Sequence, residues 1–388
     1  MTRLWHHALV AAGVLSASAG CFLHGRAGKS VPADRTEAML AAAAAKRINM
    51  FGERGELSGP PYVGRSTTPL RQHTETEIGA DTDPDVDPEG VRMVFASTRH
   101  SSRPDLYLKS IDGVAVTQLT SDPAADVQPA FSPDGRRVAF ASDRAGSWDI
   151  WMLSLDGGPV TQVTRGPADD VHPSWSPGGD RIVYCSQSPF SSPWELWITD
   201  VADGSGRRFV GYGLFPEWSP LGDIIAYQRA REQGGRRFGI WTLTLVDGEP
   251  QFPTELAWSA TDACILPTWS SDGSAIAFVG VADPGGAATE PGSDTASADI
   301  WTMSADGRHK VRLTDGFSMS YAPAFAADGR LFFTSNRSGH DNVWSLMPVR
   351  GGARASDGKL TGVEGLGAVS GSAGAARPTR ASAVKDDL

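Results

Sequence analysis

The sequence predicts an all-β fold, a six-bladed β-propeller built of four-stranded antiparallel blades. A proline–x–aromatic phrase closed by a glycine turn recurs six times along the chain. Each copy is followed by a second phrase in which an aliphatic residue precedes an aromatic one. The copies lie about 45 residues apart where nothing is inserted, the length of one four-stranded blade. Composition agrees: 44 Gly and 26 Pro in 388 residues, with few helix-period apolar stretches, call for many strands and tight turns.

Taken in chain order, the first twenty residues read as an export signal. Arg3 supplies a positive start, and Ala8 to Leu15 form an apolar stretch too short to span a bilayer. Ser18-Ala19-Gly20-Cys21 resembles a bacterial lipobox, which makes Cys21 the lipidated first residue of the mature chain. Alternatively, Ala17-Ser18-Ala19 fits ordinary signal-peptidase cleavage, which would make the protein soluble periplasmic or secreted. Phe22 after the cysteine points to the outer membrane in a two-membrane envelope. Residues 21–65 form a linker with a short helix at about 34–50, where Asp34 and Glu37 make a capping box ahead of an Ala-rich run.

The propeller is placed at 66–361. Its innermost strands, A, carry Pro84, Pro129, Pro173, Pro216, Pro267 and Pro323, and its turn glycines are Gly90, Gly135, Gly179, Gly222, Gly273 and Gly329. Strand B holds runs such as Val138-Ala139-Phe140, strand C phrases such as Asp149-Ile150-Trp151, and strand D segments such as Thr117-Gln118-Leu119-Thr120. β-Branched and aromatic residues form the strands, and Asp-Gly pairs supply the positive φ of the turns between them. Eight of the 12 Trp occupy the aromatic position of strand A or C, a recurrence that signals packing between blades. Residues 362–388, rich in Gly, Ala and Ser, read as a disordered tail.

The phrase from Gln128 to Trp151, with Pro-x-aromatic-Ser-Pro-Asp-Gly and Ser-Asp-Arg-x-Gly-x-x-Asp-Ile-Trp, resembles the WD-like repeat of the TolB family. Ser335-Asn336-Arg337-Ser338-Gly339 through Trp344 is a second close copy. The resemblance implies a periplasmic propeller that binds other proteins. TolB proper has an α/β domain ahead of its propeller, where this chain has only the linker.

The net charge of −10 excludes nucleic acid, whose phosphates need a basic surface. No Gly-x-Ser-x-Gly, His-Glu-x-x-His or Cys-x-x-Cys occurs. Cys185 and Cys264 lie two blades apart and are expected to be free buried thiols. Strand alternation places the residues before and after each strand A proline toward the central channel. The channel mouth is therefore assigned Asp83, Asp85, Gln128, His172, Ser174, Phe215, Glu217 and Leu266: polar at blades one to three, and apolar at four to six except for Glu217. Asp81, Asp126 and Asp170 are expected as further carboxylates just outside it. Carboxylates here would receive a cation or amine while Phe215 and Leu266 take an apolar group; a plain water-filled channel is the other reading.

The run Asp81-x-Asp83-x-Asp85-x-Asp87 invites calcium, but alternate strand residues would not all face one ion, and no cofactor is assigned. The expected function is a non-catalytic, monomeric envelope scaffold that engages a protein or peptide and is held to the membrane through Cys21. A metal-dependent polysaccharide lyase or other glycan-processing enzyme is the alternative, although His172 is the one histidine at the mouth. Strand direction puts the B–C loops and D–A connections on one face and all Asp-Gly turns on the other. On that argument the insertion from Asp283 to Ala298 in blade five shares its face with the mouth.

Overall fold

The computed structural model describes residues 69–190, 193–231, 237–259, 262–282 and 297–348. The signal, lipidation site and linker helix, most of the blade-five insertion, the end of the propeller as placed above and the tail lie outside these residues.

Every element among the described residues is a strand, and the strands form six four-stranded antiparallel sheets. The innermost strands are Asp81–Val86, Asp126–Phe131, Asp169–Trp175, Leu214–Trp218, Asp262–Trp269 and Ser320–Phe325, so all six prolines fall where the repeat puts them. Five sheets run A to D in chain order. The sixth is completed from the other end of the propeller, where Arg71–Gln72 pairs antiparallel with Asn342–Leu346. A two-residue strand carries no pattern of its own, which is why the repeat did not show it. Ring closure keeps the innermost strand edges around the central channel, away from other chains.

The core lies between neighbouring blades. Val94, Ala96 and Leu106 of blade one pack with Phe131, Val138, Phe140 and Leu153 of blade two, all buried. The recurring aromatics serve this packing, as expected. Trp175 Nε1 donates to Ala130 O across one seam (3.0 Å), and Trp269 Nε1 donates to Glu217 O across another (3.1 Å).

The Ser-x-Arg phrase after strand B is a buried ion-pair device. Arg144 donates twice to Asp126 (2.8 Å each) and lies over the rings of Phe140 and Trp151. Arg99 treats Asp81, Phe95 and Tyr107 the same way. This corrects the expectation for Asp81, Asp126 and Asp170. They are buried and spent on arginines, the third more loosely on Arg207 at 3.8 Å, rather than standing at the mouth. Cys185 and Cys264 are buried and unbridged, as read from the sequence, and burial pushes both thiols up to about 12.

Candidate functional site

Strict alternation does not hold at the prolines. In all six innermost strands the pairing register slips across the x–Pro pair, so two residues oppose one on strand B. The residue before each proline takes a positive φ: Asp83 50°, Gln128 54°, His172 60°, Phe215 51°, Leu266 51° and Ala322 49°. Such a bulge re-aims its side chain, and a left-handed conformation before proline costs on the order of 1–3 kcal/mol for a residue other than Gly. None of the six is β-branched, the type for which this conformation is least accessible. That exclusion is the trace of the bulge in the sequence.

The bulges surround a central cavity of about 440 Å³, lined by all eight residues assigned from the sequence. Its lining descends from the pre-proline ring to Pro88, Pro133, Pro177 and Pro220 in the A–B turns. It includes none of Asp81, Asp126 and Asp170 at the other end of strand A. The cavity therefore reaches the A–B turn face, and the expectation that it shares a face with the B–C insertion is corrected. The pre-proline side chains form its floor, and three of them, Gln128, Phe215 and Leu266, are buried.

Several polar residues of the ring are committed to holding blades together. Asp85 Oδ2 accepts from Phe131 N (2.6 Å), Gln128 Oε1 from His172 N (2.9 Å) and Ser174 Oγ from Trp218 N (2.9 Å). Phe215 has no acceptor to offer, and there Gln228 of strand B substitutes, its Oε1 taking the Leu266 N–H at 2.9 Å. The His172 ring stands edge-on to Phe215, with centroids 4.3 Å apart. Sequence reasoning missed Gln228 because strand B residues at its level are otherwise small or aliphatic. It also missed Tyr321, which lines the cavity from a register position held by Thr82, Val127, Val171, Leu214 and Ile265 in the other blades.

Enclosure by the ring sets the electrostatics. Burial raises Asp83 to about 7, with Asp341 adding repulsion against the Gln128 N–H that favours the anion. Burial raises Asp85 to about 6 despite the Phe131 N–H, and Glu217 to about 8 with help from the Asp85 charge. Burial lowers His172 to about 3, so its imidazole is neutral. The four acids of the calcium-like run go separate ways: Asp81 to Arg99, Asp87 to Arg92, and Asp83 and Asp85 to the cavity. Among the described residues no three His, Cys, Asp or Glu side chains group to hold a metal ion.

The sequence matches the TolB β-propeller domain over residues 61–258. The chain belongs to the TolB β-propeller family. Solved structures agree on the fold. The TolB-type protein of Agrobacterium tumefaciens is 21% identical with a TM-score of 0.52, covering 70% of this chain and 91% of that one. TolB of Acinetobacter baumannii is 17% identical at 0.51, over 68% of this chain and 65% of that one, so this chain spans about two thirds of its length. An oligogalacturonate lyase of Vibrio parahaemolyticus is 12% identical at 0.50, covering 75% and 96%. At these identities the likeness concerns the fold alone. No curated protein matches the chain.

Proposed function

We propose that this TolB-like propeller is a non-catalytic scaffold of the cell envelope, facing the periplasm and tethered through Cys21, that receives a peptide segment of a protein partner in its central cavity. The observation that carries this reading is the cavity itself. It opens on the A–B turn face, offers carboxylates from blades one and four, and is apolar along Phe215, Leu266, Ala322 and Ala324. A basic or amine-bearing side chain with an aliphatic stem matches those two walls. The polar groups that would otherwise suggest catalysis are largely tied into the seams: Asp85, Gln128 and Ser174 hold backbone N–H groups. A lyase would need a metal-ligand set, and His172, the histidine that lines the cavity, packs on Phe215.

Site-specific photo-crosslinking in cells tests the reading. A photoreactive residue at Ala130, in the cavity wall, should give a discrete protein adduct that Ala324→Trp abolishes by filling the space. One at Phe317, which is 91% exposed on the D–A connection of the opposite face, should give none. Adducts from the Phe317 position alone would overturn the assignment of the site. Cys21→Ser should release the protein from membrane fractions; unchanged partition would remove the anchor from the proposal.

A further inference from the structure

The strand that closes the ring is only two residues long, Arg71–Gln72, yet the segment after it is bonded to both blade six and blade one. His73 is buried where blade six meets blade one. Its N–H donates to Val343 O (2.8 Å), and Thr74 Oγ1 accepts the Val343 N–H (2.9 Å). Asn342 Oδ1 then accepts from Thr74 Oγ1 (3.1 Å) and from Thr76 N (2.8 Å). These bonds tie the segment to blade six.

The imidazole reaches both neighbours. Nδ1 lies 3.2 Å from Ile111 O of blade one, and Nε2 lies 2.8 Å from Ser345 Oγ of blade six. A carbonyl can only accept, so the proton is on Nδ1 and Nε2 accepts from the serine. The ring also packs on Phe332, and Lys109 of blade one donates to His73 O at 2.7 Å.

The charges facing this imidazole are Arg71 on its own segment, Lys109 on blade one and Arg330 at the A–B turn of blade six. All three are cations. The nearby acids are engaged elsewhere, Asp112 with Arg71 (2.8 Å) and Asp328 with Arg330 (2.6 Å).

We propose that His73 is an acid-released clasp of the propeller: neutral, it locks the closing strand to blades six and one, and protonated it lets that strand go. A second proton on Nε2 obliges Ser345 to reverse its hydroxyl and buries an imidazolium among three cations with no carboxylate against it. Burial, with these cations, holds the imidazole down at about 4 against an ordinary 6.5, although the Ile111 carbonyl works the other way. A group depressed in the closed state weakens that state as pH falls from the open-state value to the closed-state one. The window therefore runs from about 6.5 down to about 4.

Hydrogen exchange on the full chain, corrected for the intrinsic effect of pH, tests the clasp. Over that window the amides of His73, Thr76 and Val343 should lose protection by up to about 300-fold, the tenfold-per-unit limit of the shift. Amides of blades two to five should keep theirs. His73→Gln should remove the step, and Arg330→Gln, which touches none of the clasp bonds, should shrink it. If His73→Gln does not fold, Arg330→Gln alone decides the matter. An undiminished step in either folded variant, or protection lost from all six blades together, would overturn the proposal.

Discussion

Blades one to three and blades four to six share one backbone and differ in what joins them. In the first half, strand B opens with an arginine (Arg92, Arg137, Arg181) that lies over the strand A aromatic of the next blade, at 5.8, 4.7 and 4.9 Å from its centroid. The first two also donate to Gly135 O and Gly179 O of the following turn. In the second half the same position holds Ile224, Ala275 and Arg330, and Arg330 lies over Phe332 of its own strand B (5.5 Å) rather than over the next blade. Likewise the third residue before the strand A proline is Asp81, Asp126 or Asp170 in one half and Gly213, Cys264 or Ser320 in the other. The six bulges and positive φ values nonetheless repeat around the ring. Ring geometry therefore belongs to the backbone pattern, while side chains are free to join blades by polar or by apolar means.

The sharpest way to break that comparison is to cut one polar joint. Asp126 is fully buried and paired with Arg144, so Asp126→Ala leaves the guanidinium with Asp122 (2.7 Å) as its remaining carboxylate and should cost about 1.5–3 kcal/mol. Ser320, which meets Arg337 at the equivalent position of blade six, should tolerate Ala at about 1 kcal/mol or less. Urea midpoints at constant m-value measure both. Equal losses would mean that the halves do not differ energetically.

The backbone claim is tested at Ala322, where the side chain is smallest. Ala322→Val puts a β-branched residue at a φ of 49° and should cost about 1–3 kcal/mol. Ala322→Gly removes the conflict with Cβ and should be neutral or mildly stabilising, because the gain opposes glycine's greater freedom when unfolded. An ordinary strand position would give the reverse order.

A smaller effect separates the two ways of satisfying the ring's backbone. Gln228→Leu strips the acceptor from Leu266 N and should cost about 1–2 kcal/mol. Phe215→Gln in that background puts an acceptor where Gln128 serves blade three, and part of the loss should return. No recovery would show that the pre-proline residues are not interchangeable between halves.

What the sequence made legible follows from these physical differences. The prolines, turn glycines and aromatics recur because backbone geometry requires them in every blade, and from them the six blades and all eight cavity residues could be placed. The bulge was hidden because period-two alternation and a bulged strand send the same residues inward here. Asp81, Asp126 and Asp170 were misplaced because an acid near the start of strand A looks the same whether it meets solvent or an arginine far along the chain: Arg99, Arg144 and Arg207. The face of the cavity was misread for a related reason. Strand direction puts the B–C loops and the A–B turns on opposite faces without showing toward which of them the cavity extends, and its lining runs to Pro88, Pro133, Pro177 and Pro220 in the A–B turns.

The last contrast is electrical and sets the acidic wall of the cavity against the apolar one. Asp83, Asp85 and Glu217 are raised to about 7, 6 and 8, well above ordinary carboxylates. A folded-state value above the unfolded one means that the native state holds the proton more tightly. Its contribution is full below about 4 and is lost as pH rises through the folded values. His172, lowered to about 3, acts in the opposite sense, losing its contribution as pH falls below about 6.5. The melting temperature should therefore decline from about pH 5.5 to about pH 8.5, against the usual acid-side trend for paired carboxylates. Glu217→Gln should flatten the alkaline part of that decline, since its titration comes last. Leu266→Met, an apolar change of similar volume on the other wall, should leave the slope untouched. An identical slope in wild type and Glu217→Gln would place the Glu217 carboxylate in freely exchanging solvent, and the chemical asymmetry of the cavity would then carry no energetic weight.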